Sequence, residues 1–428
     1  MTTPLLSYAE AADQVQRYIR EMLGNLDVLL RPEEAARAGI ALTGVATERV
    51  PLGAAADRVL AEMLYADRDL PPFPRSTRDG FACRAAEASS NQALSLTGQV
   101  RAGESVSGTL GSGEVWEIMT GAPVPAGADA VFMVEHAERS RNSVRLTAPR
   151  RILSGENIVP RGSEASAGDM LLPPGEWLGP AQIALAAQCG YAELTVARPP
   201  RVAILSTGDE LVRVEETPGP SQIRNSNSPM LAALVSAAGG EPIVLPAVAD
   251  EEAALDEAIR NSLVADLLLV TGGISMGRFD LVEGALTRAG ASFVFGGVAI
   301  QPGKPVVFGQ LPRPNGRPLP FFALPGNPIS SAVTFHLFAT PLLAALGGSA
   351  RSVPRFALAQ LAGDWRGKPG LTRFLPAQCK FGLAAKVRVT PWQGSGDLTA
   401  FARSNCFLVV PPEAAELAEG SLVQILLV

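Results

Sequence analysis

Histidine and cysteine are scarce in this chain, which has two histidines and four cysteines among 428 residues. His136 follows an apolar strand-like run and His336 lies in an apolar helical run, so both are expected to be structural. A transition-metal site built on imidazoles and a Ser-His-Asp triad are therefore not expected. The cysteines show neither close pairing nor metal-binding spacing, and we expect reduced packing residues of a cytoplasmic protein. Chemistry then depends on carboxylates, hydroxyls, backbone amides and cations, and oxygen ligands suit Mg²⁺.

The sequence also has no excess of positive charge and few long apolar runs. The formal net charge is −6, which argues against a nucleic-acid-binding protein. We find no apolar run approaching the roughly 18 residues of a membrane span, so no membrane partner is expected. Ala9–Leu23 alternates charged and apolar residues at helical spacing, which predicts an amphipathic helix and not a signal peptide. An anionic substrate would need a local cluster of cations.

The middle of the chain predicts a buried strand, a glycine turn and a helix between Asp266 and Gly290. Leu267–Val270 is a continuous apolar run, which is typical of a strand covered on both faces. The glycines after it bring bare backbone N–H groups close together, and such a turn can hold an anion. Asp280 is expected where the next helix begins.

The same pattern of strand, polar loop and helix recurs on both sides. Further strands are predicted at Val202–Ser206, Ile243–Leu245 and Phe321–Leu324. Strands alternating with helices predict a doubly wound parallel sheet, whose ligands bind outside the carboxyl ends of the strands. Those ends carry Glu210, Asp250 and Asp280 together with glycine loops. The sequence therefore predicts a ligand site at this edge.

Other segments have different patterns. Residues 1–70 are expected to be largely helical, ending in a helix over Ala54–Tyr65, and 156–198 to be mixed. Residues 71–155 carry short strands and turns, which predicts an inserted β-rich module. The doubly wound domain is expected over 199–348, and residues 349–428 alternate like a small barrel or sandwich.

Several motifs occur together along this pattern. In chain order they are RSTRDGFA, IMTGAPVPAGADAV, STGDEL, TGGISMGRFD, QPGKPVVFG, LPGNP and QGSGD. Alone, each could be a turn in many folds; together, from about residue 8 to the end, they resemble the molybdopterin molybdenumtransferase family.

The resemblance implies a fold, an assembly and a reaction. The implied fold is a multidomain α/β protein with a molybdopterin-binding doubly wound domain, an inserted β module and a C-terminal β-barrel, in which residues 1–70 and 156–198 form a dimerisation domain. Members are homodimers, with the cleft between the doubly wound domain of one subunit and the β module of the other. The reaction joins molybdate to adenylylated molybdopterin, uses Mg²⁺ and releases AMP. A cytoplasmic location and transient contact with molybdopterin adenylyltransferase are also expected.

The resemblance gives catalytic roles to Asp79, Thr120, Glu210, Asp250 and Asp280, with Glu210 and Asp280 as ligands of Mg²⁺. Asp79 and Thr120 would reach the cleft from the partner's β module. Simpler alternatives stay open: Asp280 can be a helix N-cap, and Asp250 suits the first turn of a helix.

A second group of residues is expected to bind substrate: Gly272, Gly273, Ser275, Gly277, Lys304, Pro325, Gly326, Asn327, Pro328, Arg373 and Ser395. The glycine loop would wrap the pterin phosphate. Lys304, Arg373 and the amides around Ser395 would hold molybdate. The alternatives are a solvated surface lysine at Lys304 and a plain strand-connecting turn at Ser395.

The chain departs from the family pattern in three places. Arg78 replaces a common methionine, and residues 24–44 contain extra sequence. Gly297 and Gln301 stand where some members have lysines, so Lys304 and Arg373 are expected to matter more here.

Two other functions are weighed against the transferase. Molybdopterin adenylyltransferase has a similar doubly wound domain, but it is a single short domain without TGAPVP or the barrel. A non-catalytic scaffold, like the related domain of gephyrin, would not need Asp79, Glu210 and Asp280.

Overall fold

The computed structural model describes residues 5–23, 45–90, 92–273, 281–314, 316–349 and 353–428. They form two compact units. The first unit comprises Met1–Glu62, Pro174–Gly179 and Glu193–Val428, and the second comprises Met63–Pro173 and Pro180–Ala192. The finer division into four domains stays a prediction.

The predicted amphipathic helix at the start of the chain is confirmed and spans Tyr8–Leu23. Ser7 and Glu10 cap it reciprocally: the Glu10 carboxylate accepts from the Ser7 backbone N–H at 2.8 Å, and the Ser7 hydroxyl accepts from the Glu10 N–H at 3.2 Å. Ala11, Val15 and Ile19 recur every fourth residue on its buried face.

A six-stranded sheet forms the centre of the first unit. Its strands, in spatial order, are Glu241–Val244, Arg201–Ser206, Leu267–Thr271, Leu319–Leu324, Val307–Leu311 and Ser292–Gly296. The first four are parallel, as the sequence predicts. The last two are antiparallel to their neighbours, and they extend the sheet on one side.

The sheet is covered on both faces, which confirms the doubly wound prediction. Along Arg201–Ser206, Val202 and Ile204 enter one apolar core, and Ala203 and Leu205 enter the other. The first core also takes in the helices Asn227–Ala237, Pro328–Thr334 and Thr340–Leu346, and the second takes in Glu252–Ser262 and Leu281–Arg288. Because both faces of the sheet are covered, successive residues along its strands are apolar.

One helical run is longer and more apolar than the sequence analysis allowed. Pro328–Thr334, the π-helical turn Phe335–Ala339 and Thr340–Leu346 follow one another over 19 residues, enough by length and composition to cross a membrane. The expectation that no run approaches 18 residues was therefore wrong. Since 78% of its most apolar window is buried inside the protein, it is a core helix here.

A closed barrel forms the C-terminal part of the first unit. Its strands are Phe356–Leu361, Thr372–Lys380, Lys386–Val389, Cys406–Val410 and Leu422–Leu427. The sheet closes on itself because the pairings form a ring. In order around it, the paired strands are Thr372–Lys380, Lys386–Val389, Phe356–Leu361, Leu422–Leu427 and Cys406–Val410, and the last pairs with the first. Of the two predicted architectures, the barrel is the correct one. Beside it lie the strand Ile300–Gln301, the helix Leu398–Ala402 and the paired strands Trp365–Arg366 and Glu416–Leu417.

The predicted helix over Ala54–Tyr65 was wrong, and residues 45–70 do not form the helical structure that was expected of the first 70 residues. Residues 24–44 lie outside the described part of the chain. Thr47–Pro51 is a strand paired with Glu193–Ala197, and a 3₁₀ turn follows at Leu52–Ala54. Beyond the turn the backbone bonds to distant segments; for example, the Ala197 N–H donates to Val59 O at 2.8 Å. These non-local bonds outweigh the helix propensity of an Ala- and Leu-rich segment.

The second unit is built on another six-stranded sheet. Its strands, in spatial order, are Ala130–Met133, Gly80–Cys83, Glu114–Ile118, Leu94–Val100, Ser143–Leu146 and Ala137–Arg139. All of them lie within the segment predicted to be β-rich. Shorter strand pairs and two helices complete the described part: Leu64–Tyr65 with Met170–Leu172, Arg75–Ser76 with Ile158–Val159, Ala85–Ser89 and Pro180–Gln188.

Candidate active site

A cavity of about 440 Å³ opens at the carboxyl edge of the central sheet. The loops after Arg201–Ser206, Leu267–Thr271 and Leu319–Leu324 line it. Their lining residues include Thr207, Glu210, Gly272, Gly326, Asn327 and Pro328. The structure thus brings together predicted residues from three separate stretches of the chain.

Glu210 presents its carboxylate to this cavity. A Cβ added at Gly208 would lie 2.5 Å from Glu210 Oε2, so the carboxylate folds back over a position where only glycine fits. The short parallel strands Leu211–Val212 and Ile223–Arg224 anchor the segment, because the Ile223 N–H donates to Glu210 O at 2.8 Å. Among the described residues, no side chain or amide donates to the Glu210 carboxylate, which leaves both oxygens available to a ligand.

Asp250 is hydrogen-bonded to Thr207, a residue of the cavity wall. Its Oδ1 accepts from the Thr207 hydroxyl at 2.5 Å, and its backbone N–H donates to Asp209 Oδ1 at 3.0 Å. Thr207 is buried and lines the cavity itself. Asp250 is therefore joined through Thr207 to the cavity that Glu210 also lines. Asp280 lies outside the described residues, just before the helix Leu281–Arg288.

The start of the glycine turn packs tightly against the Thr207 loop. Gly272 has φ +92°, and a Cβ there would lie 2.2 Å from Thr207 O. Any side chain would therefore push the two loops apart. Gly273 follows with φ +64°, while Ser275 and Gly277 fall outside the described part of the chain.

Asn227 lines the first cavity and was not among the predicted site residues. Its Nδ2 donates to Thr271 Oγ1 at 2.9 Å and to Gly326 O at 2.6 Å, which ties the helix start to two site loops. Behind it, the Ser206 and Ser228 hydroxyls share a buried hydrogen bond of 2.7 Å. A run of small polar residues at the start of an apolar helix was the available signal.

A second cavity, of about 700 Å³, adjoins the first and shares Gly326 and Asn327 with it. Lys304, Pro325 and Ser395 also line it, as the sequence analysis expected of site residues. Asn327 Nδ2 donates to Ser395 Oγ at 2.9 Å, and the Ile329 N–H donates to Ser395 O at 3.0 Å. Gly326 and Asn327 therefore line both the cavity that contains Glu210 and the cavity that contains Lys304.

Arg373 is placed differently from the other expected cations. Its Nη2 donates to Lys368 O at 2.6 Å, and its backbone pairs with Gln301. The described lining of the second cavity includes Gln301 but not Arg373.

Asp79 and Thr120 meet in the second unit. Asp79 Oδ1 accepts from the Thr120 N–H at 2.6 Å and from its hydroxyl at 2.9 Å. These two bonds, the backbone one first, hold the pKa of Asp79 below its ordinary value. Both residues are exposed, so the carboxylate is accessible.

The donor atoms at the edge suit a hard cation. Glu210 and Asp250 supply carboxylate oxygens and Thr207 supplies a hydroxyl, and the described residues that line the two cavities include no sulfur or imidazole. Within the described residues no three His, Cys, Asp or Glu side chains cluster as a complete metal site. Oxygen donors of this kind fit Mg²⁺, which keeps several waters and takes few protein ligands.

Sequence models of known families cover most of the chain. The model described as "MoeA N-terminal region (domain I and II)" matches residues 9–190, and "Probable molybdopterin binding domain" matches 203–345. "MoeA C-terminal region (domain IV)" matches 359–428.

Individual proteins resemble the chain over nearly its whole length. The molybdopterin molybdenumtransferase of Bacillus subtilis (strain 168) is 34% identical over 397 residues, which span 89% of this chain and 90% of that protein. The one from Staphylococcus aureus (strain COL) is 31% identical over 385 residues, 88% of this chain and 90% of that protein. The molybdopterin biosynthesis moeA protein of Pyrococcus horikoshii OT3 is a structural relative, with a TM-score of 0.77 and 28% identity over 99% of this chain and 100% of that one.

Proposed function

Because the chain belongs to the molybdopterin molybdenumtransferase family, we propose that it is a transferase that inserts molybdate into adenylylated molybdopterin and releases AMP. The observation that carries this proposal is the pair of cavities that share Gly326 and Asn327 at the carboxyl edge of the central sheet. One bears the Glu210 carboxylate and the other bears Lys304. A nucleotide-activated substrate and an oxyanion need two such neighbouring subsites.

The first cavity is the proposed site of the molybdopterin phosphate and its adenylyl group. Gly272 and Gly273 bring the backbone close to the ligand, and Glu210 with Asp280 would hold Mg²⁺. When bound, Mg²⁺ would neutralise charge on the phosphoryl oxygens. Thr207 holds the Asp250 carboxylate in place behind the wall.

The second cavity is the proposed site of molybdate. Lys304 supplies positive charge in a chain whose net charge is −6, and Ser395 and Asn327 supply hydrogen-bonding groups. Cleavage of a phosphoanhydride depends on positioning and charge neutralisation more than on a covalent nucleophile. An oxygen of the molybdate bound beside Asn327 is the proposed attacking group: it would bond to the phosphorus of the molybdopterin phosphate, the P–O bond of the phosphoanhydride would break, and AMP would leave.

The proposed enzyme is a cytoplasmic homodimer. Asp79 and Thr120 lie on the second unit, where the Thr120 N–H and hydroxyl both donate to the Asp79 carboxylate. We place them at the cleft of the partner subunit, where they complete the site. Transfer of the adenylylated substrate would come from transient contact with molybdopterin adenylyltransferase.

Incubation of the purified protein with adenylylated molybdopterin tests this function. We expect AMP release that depends on added molybdate and is stimulated by Mg²⁺. No AMP release would contradict the proposal and favour a scaffold. Adenylylation of molybdopterin from ATP would favour the adenylyltransferase alternative.

A further inference from the structure

A small cavity lies at the opposite, amino-terminal edge of the central sheet. Its volume is about 160 Å³. Asp266, just before the strand Leu267–Thr271, lines it together with Pro318, just before Leu319–Leu324. The candidate active site opens beyond the other ends of the same strands, so the two cavities are separate.

Three arginines are among the residues that line this cavity: Arg198, Arg313 and Arg317. Asp266 is the carboxylate among the lining residues, and its Oδ2 already accepts from the Arg201 backbone N–H at 2.8 Å. No ion pair joins Asp266 to any of the three arginines among the described residues. Positive charge therefore exceeds negative charge at this point of an acidic chain.

The arginines keep unused donors. Arg313 donates through Nη2 to Ala265 O, but its buried Nε has no partner within the described part of the structure. The side chains of Arg198 and Arg317 likewise make no hydrogen bond or ion pair to described residues. Burial lowers the pKa of Arg313, while Asp266 opposes that shift. Such a partly buried cation is stabilised by an anion bound beside it.

The rest of the wall is apolar. Met22, Val45, Pro199, Pro200, Pro320 and Leu346 complete most of it. A wall of this kind offers a bound anion few competing dipoles and lowers the local dielectric, which strengthens attraction to the guanidiniums. Planar guanidiniums also match the oxygens of tetrahedral oxyanions in geometry.

The size of the cavity limits its ligand. A volume of about 160 Å³ is well above the roughly 10–15 Å³ that a single bound water needs. Drug-sized and nucleotide-sized ligands need roughly 300–1,000 Å³. A tetrahedral oxyanion with a few waters fits.

We propose that Arg198, Arg313 and Arg317 form a second anion site, which binds a tetrahedral oxyanion or a terminal phosphoryl group away from the candidate active site. The shared chemistry is a compact, doubly charged tetrahedron. Inorganic phosphate, molybdate and the phosphate of AMP all contain such a group. The first two are free ions, whereas the phosphate of AMP is attached to a nucleoside.

Calorimetric titration with inorganic phosphate, molybdate and AMP tests the site. Arg317→Gln is the main variant, because Arg317 is exposed and makes no hydrogen bond to described residues. The matched control is Arg366→Gln, on an exposed barrel arginine that lies 3.6 Å from Glu416. Lys304→Ala separates this site from binding at the second cavity of the active edge.

Wild type, Arg366→Gln and Lys304→Ala should bind phosphate equally at this site. Arg317→Gln should bind at least about tenfold more weakly, since a hydrogen bond to a charged group is worth about 10- to 150-fold. If phosphate and molybdate bind and AMP does not, the ligand is a free oxyanion. If AMP also binds and its binding depends on Arg317 in the same way, the ligand is a phosphoryl group.

Crystals soaked with tungstate give a positional readout. Anomalous density between the three arginines is expected, and it should disappear in Arg317→Gln crystals. Unchanged phosphate affinity in Arg317→Gln, or absence of both binding and density, would overturn the proposal.

Discussion

The Thr207 hydroxyl donates a hydrogen bond of 2.5 Å to Asp250 Oδ1 and so joins the loops that follow two neighbouring parallel strands. The second carboxylate oxygen of Asp250 accepts no hydrogen bond from the described residues. A short bond to a charged acceptor is among the stronger hydrogen bonds of proteins. It fixes the carboxylate while one oxygen stays free for a ligand or a water.

Replacing Thr207 by valine removes this donor and nearly preserves the side-chain volume. AMP release should fall about 10- to 150-fold, because a hydrogen bond to a charged group is worth roughly 1.5–3 kcal/mol. Thr207→Ser keeps the hydroxyl and should stay close to the wild-type rate. Steady-state assays alongside urea unfolding would separate lost positioning from lost stability. Equal rates for the two variants would refute the positioning role.

Lys304 and Arg373 should differ in their effect on molybdate. Lys304 lines the second cavity, whereas Arg373 is bonded to Lys368 O. Lys304→Ala should raise the molybdate concentration for half-maximal rate about 10- to 150-fold. Arg373→Ala should raise it less. Titrating molybdate at saturating adenylylated molybdopterin measures both, and the reverse order would move the oxyanion away from Lys304.

Asp79 tests whether two subunits share one site. Asp79→Ala and Glu210→Gln chains should each be inactive as homodimers. Heterodimers of the two, purified with different affinity tags, should recover the activity of one site, about half that of the wild-type dimer, because one intact cleft remains. A heterodimer as inactive as its parents would show that Asp79 and Glu210 do not serve opposite subunits.

The burial of His336 predicts that the folded state loses stability in acid. Burial lowers the pKa of His336 to about 4, against an ordinary value of about 6.5. Between these values the unfolded chain binds a proton that the folded chain does not, so stability falls as the pH drops from 6.5 towards 4. This group alone should lower the free energy of unfolding by about 2 kcal/mol between pH 7 and pH 5.

His336→Phe should remove that contribution. The difference between urea unfolding at pH 7 and at pH 5 should shrink by about the same amount, about 2 kcal/mol. The buried Nε2 has no partner in the described structure, so the apolar ring should be tolerated at pH 7. An unchanged pH dependence would show that His336 titrates normally.

The strands of the central sheet could be predicted because their signal is local. Leu267–Thr271 is a continuous apolar run ended by glycines, and this pattern needs no knowledge of the remaining chain. The Ala54–Tyr65 segment shows the opposite case: its composition favours a helix, but pairing with residues more than 100 positions away decides its structure. Local pattern carries no information about such partners.

The sequence predicted which loops form the site but not which hydrogen bonds its residues make. Glu210, Gly272 and Asn327 follow strands, so their convergence follows from a parallel sheet. The Thr207–Asp250 hydrogen bond depends on which strands are neighbours in the sheet. The sequence of a single segment does not specify that strand order. The carbonyl that binds Arg373 belongs to a nearby loop, whose shape the motif around Arg373 does not specify.

The most direct test of the account is the ratio of AMP released to molybdenum incorporated. Wild-type protein with adenylylated molybdopterin, molybdate and Mg²⁺ should release one AMP for each molybdenum bound to molybdopterin, measured by chromatography and elemental analysis. Glu210→Gln should lose both products together by more than tenfold. Glu216→Gln, which removes a charge from an exposed side chain outside the cavity lining, should lose neither. AMP release without molybdenum incorporation, or equal products from Glu210→Gln and wild type, would contradict the proposed insertion site.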